Sequence, residues 1–297
     1  MKRSTVAALL LIAPGMGAFL FFNLYPILYS FYLSMTNAQL GNFPLETTKE
    51  LLFVSLENFR WVLSDPIFRS ALIWTWLFVA MSVITKLIFG LIISLIYNSK
   101  WVVGKPIYRG LLMIPWALPI LFSVAVWKFM FDPVFGPANI ILNTIGVSNL
   151  PQWTIEANAG IFAMVIIETW LAYPFMMTII TAALQSVSQS HIEASIIDGA
   201  GYFQRLFRVV LPIAGKPIAF ASILTGAASF QFFMVPFIYN SALFEDRFLL
   251  LYGYRKGFAS SIPHYGRAAA AMVIAMVFLA IFMYISMKIT KVGEGAE

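Results

Sequence analysis

SVSQSHIEASIIDGAGYFQRLFRVVLPIAGK, residues 186–216, is a polar stretch between two long apolar runs. Ser190 and Glu193 have the spacing of a capping box, in which a serine hydroxyl and a glutamate carboxylate satisfy backbone N–H groups at the start of a helix. Gly199 and Gly201 predict the end of that helix, because glycine accepts a left-handed backbone. The stretch therefore predicts a helix, a glycine bend and a second helix.

The second predicted helix has an apolar face. Four apolar side chains recur at the spacing of one helical face, and they are Phe203, Phe207, Val210 and Leu211. Pro212 is predicted to close this helix, because proline has no backbone N–H. An apolar face in water is expected to pack against another surface, and the pattern leaves two alternatives open. One is a groove on another protein, and the other is the membrane surface.

The same stretch resembles the EAA loop of permease subunits of binding-protein-dependent ABC transporters. The matching residues are Glu193-Ala194-Ser195, Asp198-Gly199-Ala200, Phe203, Phe207 and Leu211-Pro212. In that family the loop is a coupling helix, seated in a cleft of a cytoplasmic ATPase subunit. The resemblance implies that seven residues contact the ATPase or form the bend and are not catalytic. They are Glu193, Ala194, Asp198, Gly199, Phe203, Phe207 and Pro212.

The composition is that of an integral membrane protein. Of 297 residues, 61% are hydrophobic and 11% are charged, whereas charged residues make up about a quarter of soluble domains. The chain has no cysteine, which excludes disulfides and thiolate metal sites. Lys and Arg are scattered among the loops, so the net charge of +6 suits anionic membrane lipid better than nucleic acid.

Six apolar runs predict an all-α fold in a single transmembrane domain over residues 1–297. The predicted spans are residues 6–33, 71–97, 107–131, 159–184, 217–239 and 266–290. The first run is too long for a signal peptide and contains no small-residue cleavage site, so we expect a retained helix. Pro14 and Pro26 are expected to kink this helix or to mark its ends.

Loop charges predict the orientation of the chain in the cell (inner, cytoplasmic) membrane. Ten cations share the side of the termini: Lys2, Arg3, Lys100, Lys105, Arg109, Arg205, Arg208, Lys216, Lys288 and Lys291. Seven lie on the other side: Lys49, Arg60, Arg69, Arg247, Arg255, Lys256 and Arg267. The loop of residues 132–158 has no Lys or Arg. The positive-inside rule therefore places residues 186–216 and both termini in the cytoplasm.

The sequence offers no recognisable catalytic or nucleotide site. The motif GxxxxGK[ST] does not occur, and the two histidines, His191 and His264, are far apart in the chain. We therefore expect a transport subunit that is not an enzyme and has no cofactor of its own. If transport is driven by ATP, ATP-Mg is expected to bind to separate ATPase subunits.

Further segments narrow the resemblance to MalF-like permeases of carbohydrate importers. They are residues 56–59, 64–66, 114–119, 127–139 and 170–177. The chain departs from the family at Tyr239-Asn240-Ser241-Ala242, which replaces the usual Gly-Gly-Pro after the fifth span. The resemblance implies a six-helix, type I ABC importer permease. It also implies three kinds of partner: a second, homologous permease subunit, a dimer of cytoplasmic ATPase subunits and an extracytoplasmic sugar-binding protein.

Polar and aromatic residues within the fourth and fifth spans are candidates for a sugar path. Amides and hydroxyls bind sugar hydroxyls, and aromatic rings stack on sugar faces. The residues alone point to Trp170, Tyr173, Phe175, Thr225, Ser229, Gln231 and Phe232. The resemblance implies Leu171, Ala172, Phe175, Thr225, Ala228, Ser229, Phe232 and Met234. Ordinary helix packing remains an alternative for each of them.

Two ionisable residues lie deep inside the predicted spans. At a rise of about 1.5 Å per residue, Lys86 lies roughly 22 Å and Glu168 roughly 14 Å below the outer ends of their helices. A buried ionisable group points to function. One hypothesis is a charge pair that exchanges partners during transport, and the other is a static pair that positions two helices.

The sequence as a whole predicts the permease subunit of an ATP-binding-cassette importer for a di- or oligosaccharide of the maltose or trehalose type. An importer for glycerol-phosphate or another polyol is an alternative. A phosphate ligand would favour Lys or Arg deep in spans four and five, and the sequence has neither there. A proton-coupled secondary sugar carrier, with Lys86 and Glu168 as its relay, is a further alternative.

Overall fold

The computed structural model describes residues 3–42 and 51–291. Its α-helices are α1 (Arg3–Phe19), α2 (Tyr25–Ser34), α3 (Glu57–Ser64), α4 (Pro66–Asn98), α5 (Lys105–Leu112), α6 (Ile114–Ala117), α7 (Ile120–Met130), α8 (Pro137–Thr144), α9 (Ala157–Gln185), α10 (Gln189–Ile197), α11 (Tyr202–Arg205), α12 (Leu211–Ile213), α13 (Gly215–Phe230), α14 (Met234–Asn240), α15 (Leu249–Tyr254) and α16 (Tyr265–Thr290). Three π-helical segments are Leu20–Leu24, Leu206–Val210 and Arg255–Ala259. Lys2 and Lys49 of the charge count lie outside the described residues.

Five helical stretches are long and apolar enough to cross a membrane. They are Leu9–Ser34, Pro66–Asn98, Ala157–Gln185, Gly215–Asn240 and Tyr265–Thr290, and a shorter apolar helix is Ile120–Met130. The contacts divide the chain into two compact units, Met1–Arg69 with Tyr252–Val277 and Ser70–Leu251 with Phe278–Glu297. The single transmembrane domain over residues 1–297 stays a prediction.

The predicted third span, residues 107–131, is not one helix. It is divided into α5, α6 and α7, with breaks at Met113 and at Leu118–Pro119. Leu118 has an extended backbone, with ψ at 137°, because the ring of Pro119 disfavours the helical conformation in the residue before it. The prediction of a continuous helix was therefore wrong at this proline.

The predicted fifth span, residues 217–239, is also interrupted. Helix α13 ends at Phe230 and α14 begins at Met234. In a continuous helix, the ring of Pro236 would clash with the carbonyl group of Phe232, four residues earlier. The break between the two helices removes that clash.

Two prolines follow π-helical turns. The Tyr25 N–H donates to the Leu20 carbonyl just before Pro26, and the Leu211 N–H donates to the Leu206 carbonyl just before Pro212. Each bond spans five residues, so each turn is wider than an α-helical turn. The wide turn lets the helical path continue into a proline, which in the interior of a regular α-helix removes a hydrogen bond and clashes with the carbonyl group four residues earlier.

In the unit Ser70–Leu251 with Phe278–Glu297, α9 runs through the core. Met164 and Ile167 of α9 are buried in an apolar cluster together with Phe78, Phe244 and Phe248. Further along α9, Met176 packs so tightly on α4 that a Cβ added at Gly90 would lie 2.9 Å from the Met176 Cβ. Small residues of this kind let apolar helices approach closely.

In the unit Met1–Arg69 with Tyr252–Val277, an amide holds the chain after α2. Asn58 Nδ2 donates to the carbonyl oxygens of Ser34, at 3.0 Å, and Thr36, at 2.7 Å. The Gly266 N–H donates to the Ala38 carbonyl at 2.9 Å. A Cβ added at Gly266 would lie only 2.4 Å from the Thr36 oxygen, so this position accepts only glycine without a shift of the backbone.

A second feature of that unit is a cluster of cations and aromatic rings. The Trp61 ring lies 4.2 Å from Arg267 Cζ and 5.5 Å from Lys256 Nζ. Lys256 Nζ is also 3.4 Å from an Asp65 carboxylate oxygen. Partial burial, followed by the charges of Arg267 and Lys256, lowers the pKa of His264. The lowered pKa favours the neutral form of His264.

Candidate functional site

The polar stretch of residues 186–216 folds as a helical hairpin. Its first helix, α10, begins two residues before the predicted start, with Ser188 at the N-cap. The Ser188 hydroxyl lies 2.5 Å from His191 Nδ1, and no side chain caps the backbone of this helix end. The predicted capping box of Ser190 and Glu193 was wrong, because Glu193 lies in the second turn and is too far along to cap the helix start.

The bend follows Asp198, the C-cap residue of α10, and is centred on Gly199. Gly199 has φ at +79°. Its N–H donates to the Ile196 carbonyl at 3.0 Å, and the Ala200 N–H donates to the Ser195 carbonyl at 2.9 Å. This pair of bonds is a Schellman motif. The prediction of a left-handed glycine is confirmed at residue 199.

The second glycine of the bend has a different part. Gly201 has φ at −67° and ψ at 168°, which is extended backbone, and it forms the N-cap of α11. The prediction of a left-handed conformation was therefore wrong at Gly201. Arg205 Nη1 donates to the Ala200 carbonyl at 3.1 Å, which ties the first turn of α11 back to the bend.

The second half of the hairpin does not end at Pro212. Helix α11 passes through the π-helical turn into α12, and α13 begins at Gly215. Pro212 follows the π-helical turn, whose wider path lets the helix continue into a residue without a backbone N–H. The helix ends at Ile213, so the predicted end at Pro212 was one residue too early.

The outer surface of the hairpin is exposed. The exposed residues include Glu193, Ala194, Asp198, Gly199, Phe203, Phe207 and Pro212. Phe203 and Phe207 have 71% and 61% of their surface exposed, and Ile197 has 85%. A phenylalanine pair this exposed is unusual in a part of a protein that lies in water.

The base of the hairpin is packed. Val210 contacts a buried cluster formed by Ala183, Val187 and Ala214. The predicted apolar face is therefore divided, with Phe203 and Phe207 outward and Val210 inward. Phe207 and Val210 both lie in the π-helical segment Leu206–Val210, whose wider turn rotates its side chains relative to the spacing of an α-helix.

Lys86 and Glu168 meet inside the bundle. Lys86 Nζ lies 3.0 Å from Glu168 Oε1, and their side chains are 0% and 7% exposed. The Ser229 hydroxyl accepts from Lys86 Nζ at 2.7 Å and lies 2.7 Å from Glu168 Oε1. Glu168 Oε2 has no hydrogen-bond partner among the described residues. The three side chains join α4, α9 and α13.

The candidate sugar-path residues fall into two groups. Tyr173, Thr225 and Ser229 are buried, and the Tyr173 hydroxyl donates to the Leu112 carbonyl at 2.9 Å. The Phe232 ring stacks on Phe78 with ring centres 4.9 Å apart. These four side chains are held in the packing of the unit.

The other candidates are accessible. Leu171, Ala172 and Phe175 are half-buried, and Ala228, Gln231 and Met234 are exposed. Leu224 is also exposed and was missed by the sequence analysis. Its signal was the spacing of Leu224, Ala228 and Gln231, which places all three on one face of α13 and its end.

Among the described residues, no three His, Asp or Glu side chains come close enough to hold a metal ion. Outside the spans, Asp132 accepts the N–H groups of Val134 and Phe135 at 2.9 Å and 2.8 Å. These bonds, first that of Phe135, lower the pKa of Asp132. The carboxylate therefore fixes the turn before α8 in its ionised form.

The arrangement of helices is that of known importers. The permease of "a bacterial ABC transporter involved in the import of the acidic polysaccharide alginate" superposes with a TM-score of 0.78 over 98% of this chain and 96% of that one, at 18% identity. The MetNI methionine ABC transporter superposes with a TM-score of 0.53 over 79% of this chain and 97% of that one, at 18% identity. The prediction of an all-α membrane fold of the ABC importer permease type is confirmed.

Sequence relatives agree with the fold. The maltose/maltodextrin transport system permease protein MalF of Vibrio vulnificus is 29% identical over 283 residues, covering 89% of this chain and 53% of MalF. The galactooligosaccharides transport system permease protein GanP of Bacillus subtilis is 28% identical over 281 residues, covering 90% and 66%. The chain thus spans about half the length of the MalF relative.

Residues 86–291 match the family described as "Binding-protein-dependent transport system inner membrane component". The match includes the whole hairpin, the buried charge cluster and the candidate sugar-path residues. With its membrane-crossing helices, the chain is a multi-pass membrane protein. Since the match covers more than half of the sequence, the chain belongs to the family of binding-protein-dependent transport system inner membrane components.

Proposed function

We propose that the chain is the permease subunit of an ABC importer for a di- or oligosaccharide. The observation that carries this proposal is the hairpin of residues 186–216, whose base is packed while Phe203 and Phe207 are exposed. Such a surface suits a groove on a second protein. In this proposal the groove belongs to a dimer of ATPase subunits that bind ATP-Mg, and the hairpin and both termini are cytoplasmic.

The hairpin is built to pass motion to two membrane helices. It follows α9 after a short turn and leads through α12 directly into α13. Val210 links its second half to Ala183 of α9 and to Ala214 at the start of α13. A displacement of the hairpin by closing ATPase subunits therefore moves the inner ends of α9 and α13. These two helices carry most of the accessible candidate residues for the solute.

The accessible face of α13 suits a neutral sugar. It combines Leu224 and Ala228 with Gln231, just after α13, and Met234, at the start of α14. Gln231 Nε2 donates to the Ala227 carbonyl at 3.2 Å, which leaves its second N–H and its oxygen for hydroxyl groups. A second, homologous permease subunit would supply the opposite wall of the path. A sugar-binding protein on the outer side would deliver the solute. The two relatives are transport proteins for maltose/maltodextrin and for galactooligosaccharides, which supports this class of substrate.

Uptake of labelled maltodextrin and galactooligosaccharide by cells that carry the complete transporter tests the proposal. Glu193→Lys reverses a charge on the exposed side of α10 and should abolish uptake while the protein still inserts in the membrane. Lys288→Glu reverses a charge at the end of α16 and should keep uptake. Uptake that survives ATP depletion but stops with an uncoupler would contradict the proposal in favour of a proton-coupled carrier.

A further inference from the structure

A cleft of about 650 Å³ separates the end of α4 from the hairpin. Its apolar wall includes Leu95 of α4 and Leu206 of the π-helical turn. Its polar rim is formed by Asn98, Lys100 and Arg205, together with the rings of Trp101 and Tyr202. The cleft is thus a mainly apolar space with two cations, Lys100 and Arg205, at its rim, next to the segment that we propose to couple with the ATPase.

The rim offers hydrogen-bond donors and positive charge. Asn98 Oδ1 accepts from Gln185 Nε2 at 2.8 Å, which fixes the amide so that Nδ2 is its free end. Nδ2 is buried and, within the described part of the chain, has no acceptor. Lys100 has no carboxylate within ion-pair distance among those same residues, and the cleft lining contains no Asp or Glu. Such a rim is complementary to an anion.

The rest of the lining indicates that the anion is attached to an apolar chain. Trp101 is 92% exposed and Tyr202 is 56% exposed. Exposed tryptophan and tyrosine are typical of the level of lipid headgroups. The apolar wall would have no role for a free phosphate ion, whereas it fits an acyl chain.

We infer that this cleft binds an anionic phospholipid of the cytoplasmic leaflet. The headgroup phosphate lies between Lys100 and Arg205, and an acyl chain lies along Leu95 and Leu206. Basic pockets at the cytoplasmic ends of membrane helices bind anionic headgroups in this way. The leaflet assignment rests on the proposed function, because that function places the hairpin in the cytoplasm. The bound lipid connects the loop after α4 to the hairpin and so stabilises one position of the hairpin.

Native mass spectrometry of the intact chain in detergent tests the site, with palmitoyl-oleoyl phosphatidylglycerol as the probe and the matching phosphatidylcholine as the reference lipid. The wild type should retain phosphatidylglycerol preferentially. The double variant Lys100→Gln/Arg205→Gln should bind it roughly 30-fold more weakly, from about 1 kcal/mol for each cation near an anionic headgroup. The double variant Lys288→Gln/Lys291→Gln removes the same charge from the end of α16 and should bind like the wild type.

Arg205 also holds the bend through the Ala200 carbonyl, so a single variant is needed that leaves this bond alone. Lys100→Gln should weaken binding about fivefold by the same estimate. Equal losses in the two double variants, or no loss in Lys100→Gln, would overturn the proposal. Displacement of the lipid by millimolar inorganic phosphate would assign the rim to a free anion and would also overturn it.

The lipid measurement separates this inference from the proposed function. Glu193→Lys should abolish uptake. Because Glu193 does not line the cleft, the same variant should bind phosphatidylglycerol like the wild type. Normal uptake by Glu193→Lys would count against the coupling role of the hairpin alone. Weak binding of the lipid by Glu193→Lys would count against the cleft as the lipid site.

Discussion

Removal of one member of the buried charge pair should destabilise the protein strongly. Glu168→Gln leaves the Lys86 ammonium, 0% exposed, without a counter-charge and with only neutral oxygens nearby. Breaking a buried ion pair on one side costs about 3–5 kcal/mol. Lys86→Met should cost a similar amount, because it leaves Glu168 buried and uncompensated.

Removal of both charges should be far less harmful. The double variant Lys86→Met/Glu168→Met replaces the pair with apolar side chains of similar volume, and such replacements of buried ion pairs are often neutral or stabilising. The two single losses should therefore be strongly non-additive, and a neutral double variant would give a coupling free energy of about 6 kcal/mol or more. Ser229→Ala removes a hydroxyl that is hydrogen-bonded to both charged groups and should cost about 1.5–3 kcal/mol.

Equilibrium unfolding by sodium dodecyl sulfate in mixed micelles, followed by tryptophan fluorescence, measures these free energies. Lys288→Met, at an exposed position, is the control and should change stability by less than about 0.5 kcal/mol. A Glu168→Gln variant as stable as the wild type would refute the cost of an uncompensated buried charge. A double variant that loses the sum of the two single losses would refute it as well. Sugar uptake by a stable double variant would favour a static pair, and loss of uptake would favour a pair that exchanges partners.

Three further predictions concern the bend and the unit Met1–Arg69 with Tyr252–Val277. Gly199→Ala forces a side chain into φ of +79° and should cost about 1–2 kcal/mol. Gly201→Ala lies in extended backbone and should be tolerated. Equal rates of proteolysis of the hairpin in the two variants would contradict this. Gly266→Ala puts a Cβ 2.4 Å from the Thr36 oxygen and should lower the thermal midpoint by several degrees, while an unchanged midpoint would contradict the close approach. The lowered pKa of His264 means that its stabilising contribution is present above the ordinary pKa of about 6.5 and is lost as pH falls through the lowered value. His264→Gln should therefore lose less stability than the wild type between pH 7.5 and pH 5, and identical pH profiles would be evidence against this.

The sequence was informative where one residue type has one physical role. Gly199 marked a left-handed bend because few other residues accept that conformation, and the structure has φ of +79° there. Lys86 and Glu168 stood out because charges are costly in an apolar helix, and the structure pairs them at 3.0 Å. In both cases local chemistry was enough to identify the feature.

Features that depend on tertiary packing were not predictable in the same way. The capping box at Ser190 had correct residue types, but the helix starts after Ser188, where packing of Val187 fixes the chain. Pro212 was expected to end a helix, and the helix ends one residue later, at Ile213, after a π-helical turn. An α-helical period could not predict the orientation of Phe207 and Val210, because both lie in that wider turn.

The solute path shows the same limit. Span position and residue type could not distinguish buried Thr225 and Ser229 from exposed Ala228 and Gln231, because all four lie in one apolar stretch. The difference in exposure between these residues depends on which faces of α13 are covered by α4 and α9. That information comes from the three-dimensional arrangement of the helices.

Site-specific crosslinking from the hairpin tests the central claim most directly. The chain has no cysteine, so Phe203→Cys introduces a unique thiol on the exposed face. With a short bifunctional reagent in the assembled transporter, this thiol should crosslink to an ATPase subunit, and Val103→Cys, at a position 83% exposed outside the hairpin, should not. If Phe203→Cys reacts only with a lipid-borne probe and forms no crosslink to a neighbouring protein, the hairpin lies on the membrane and the coupling role is contradicted.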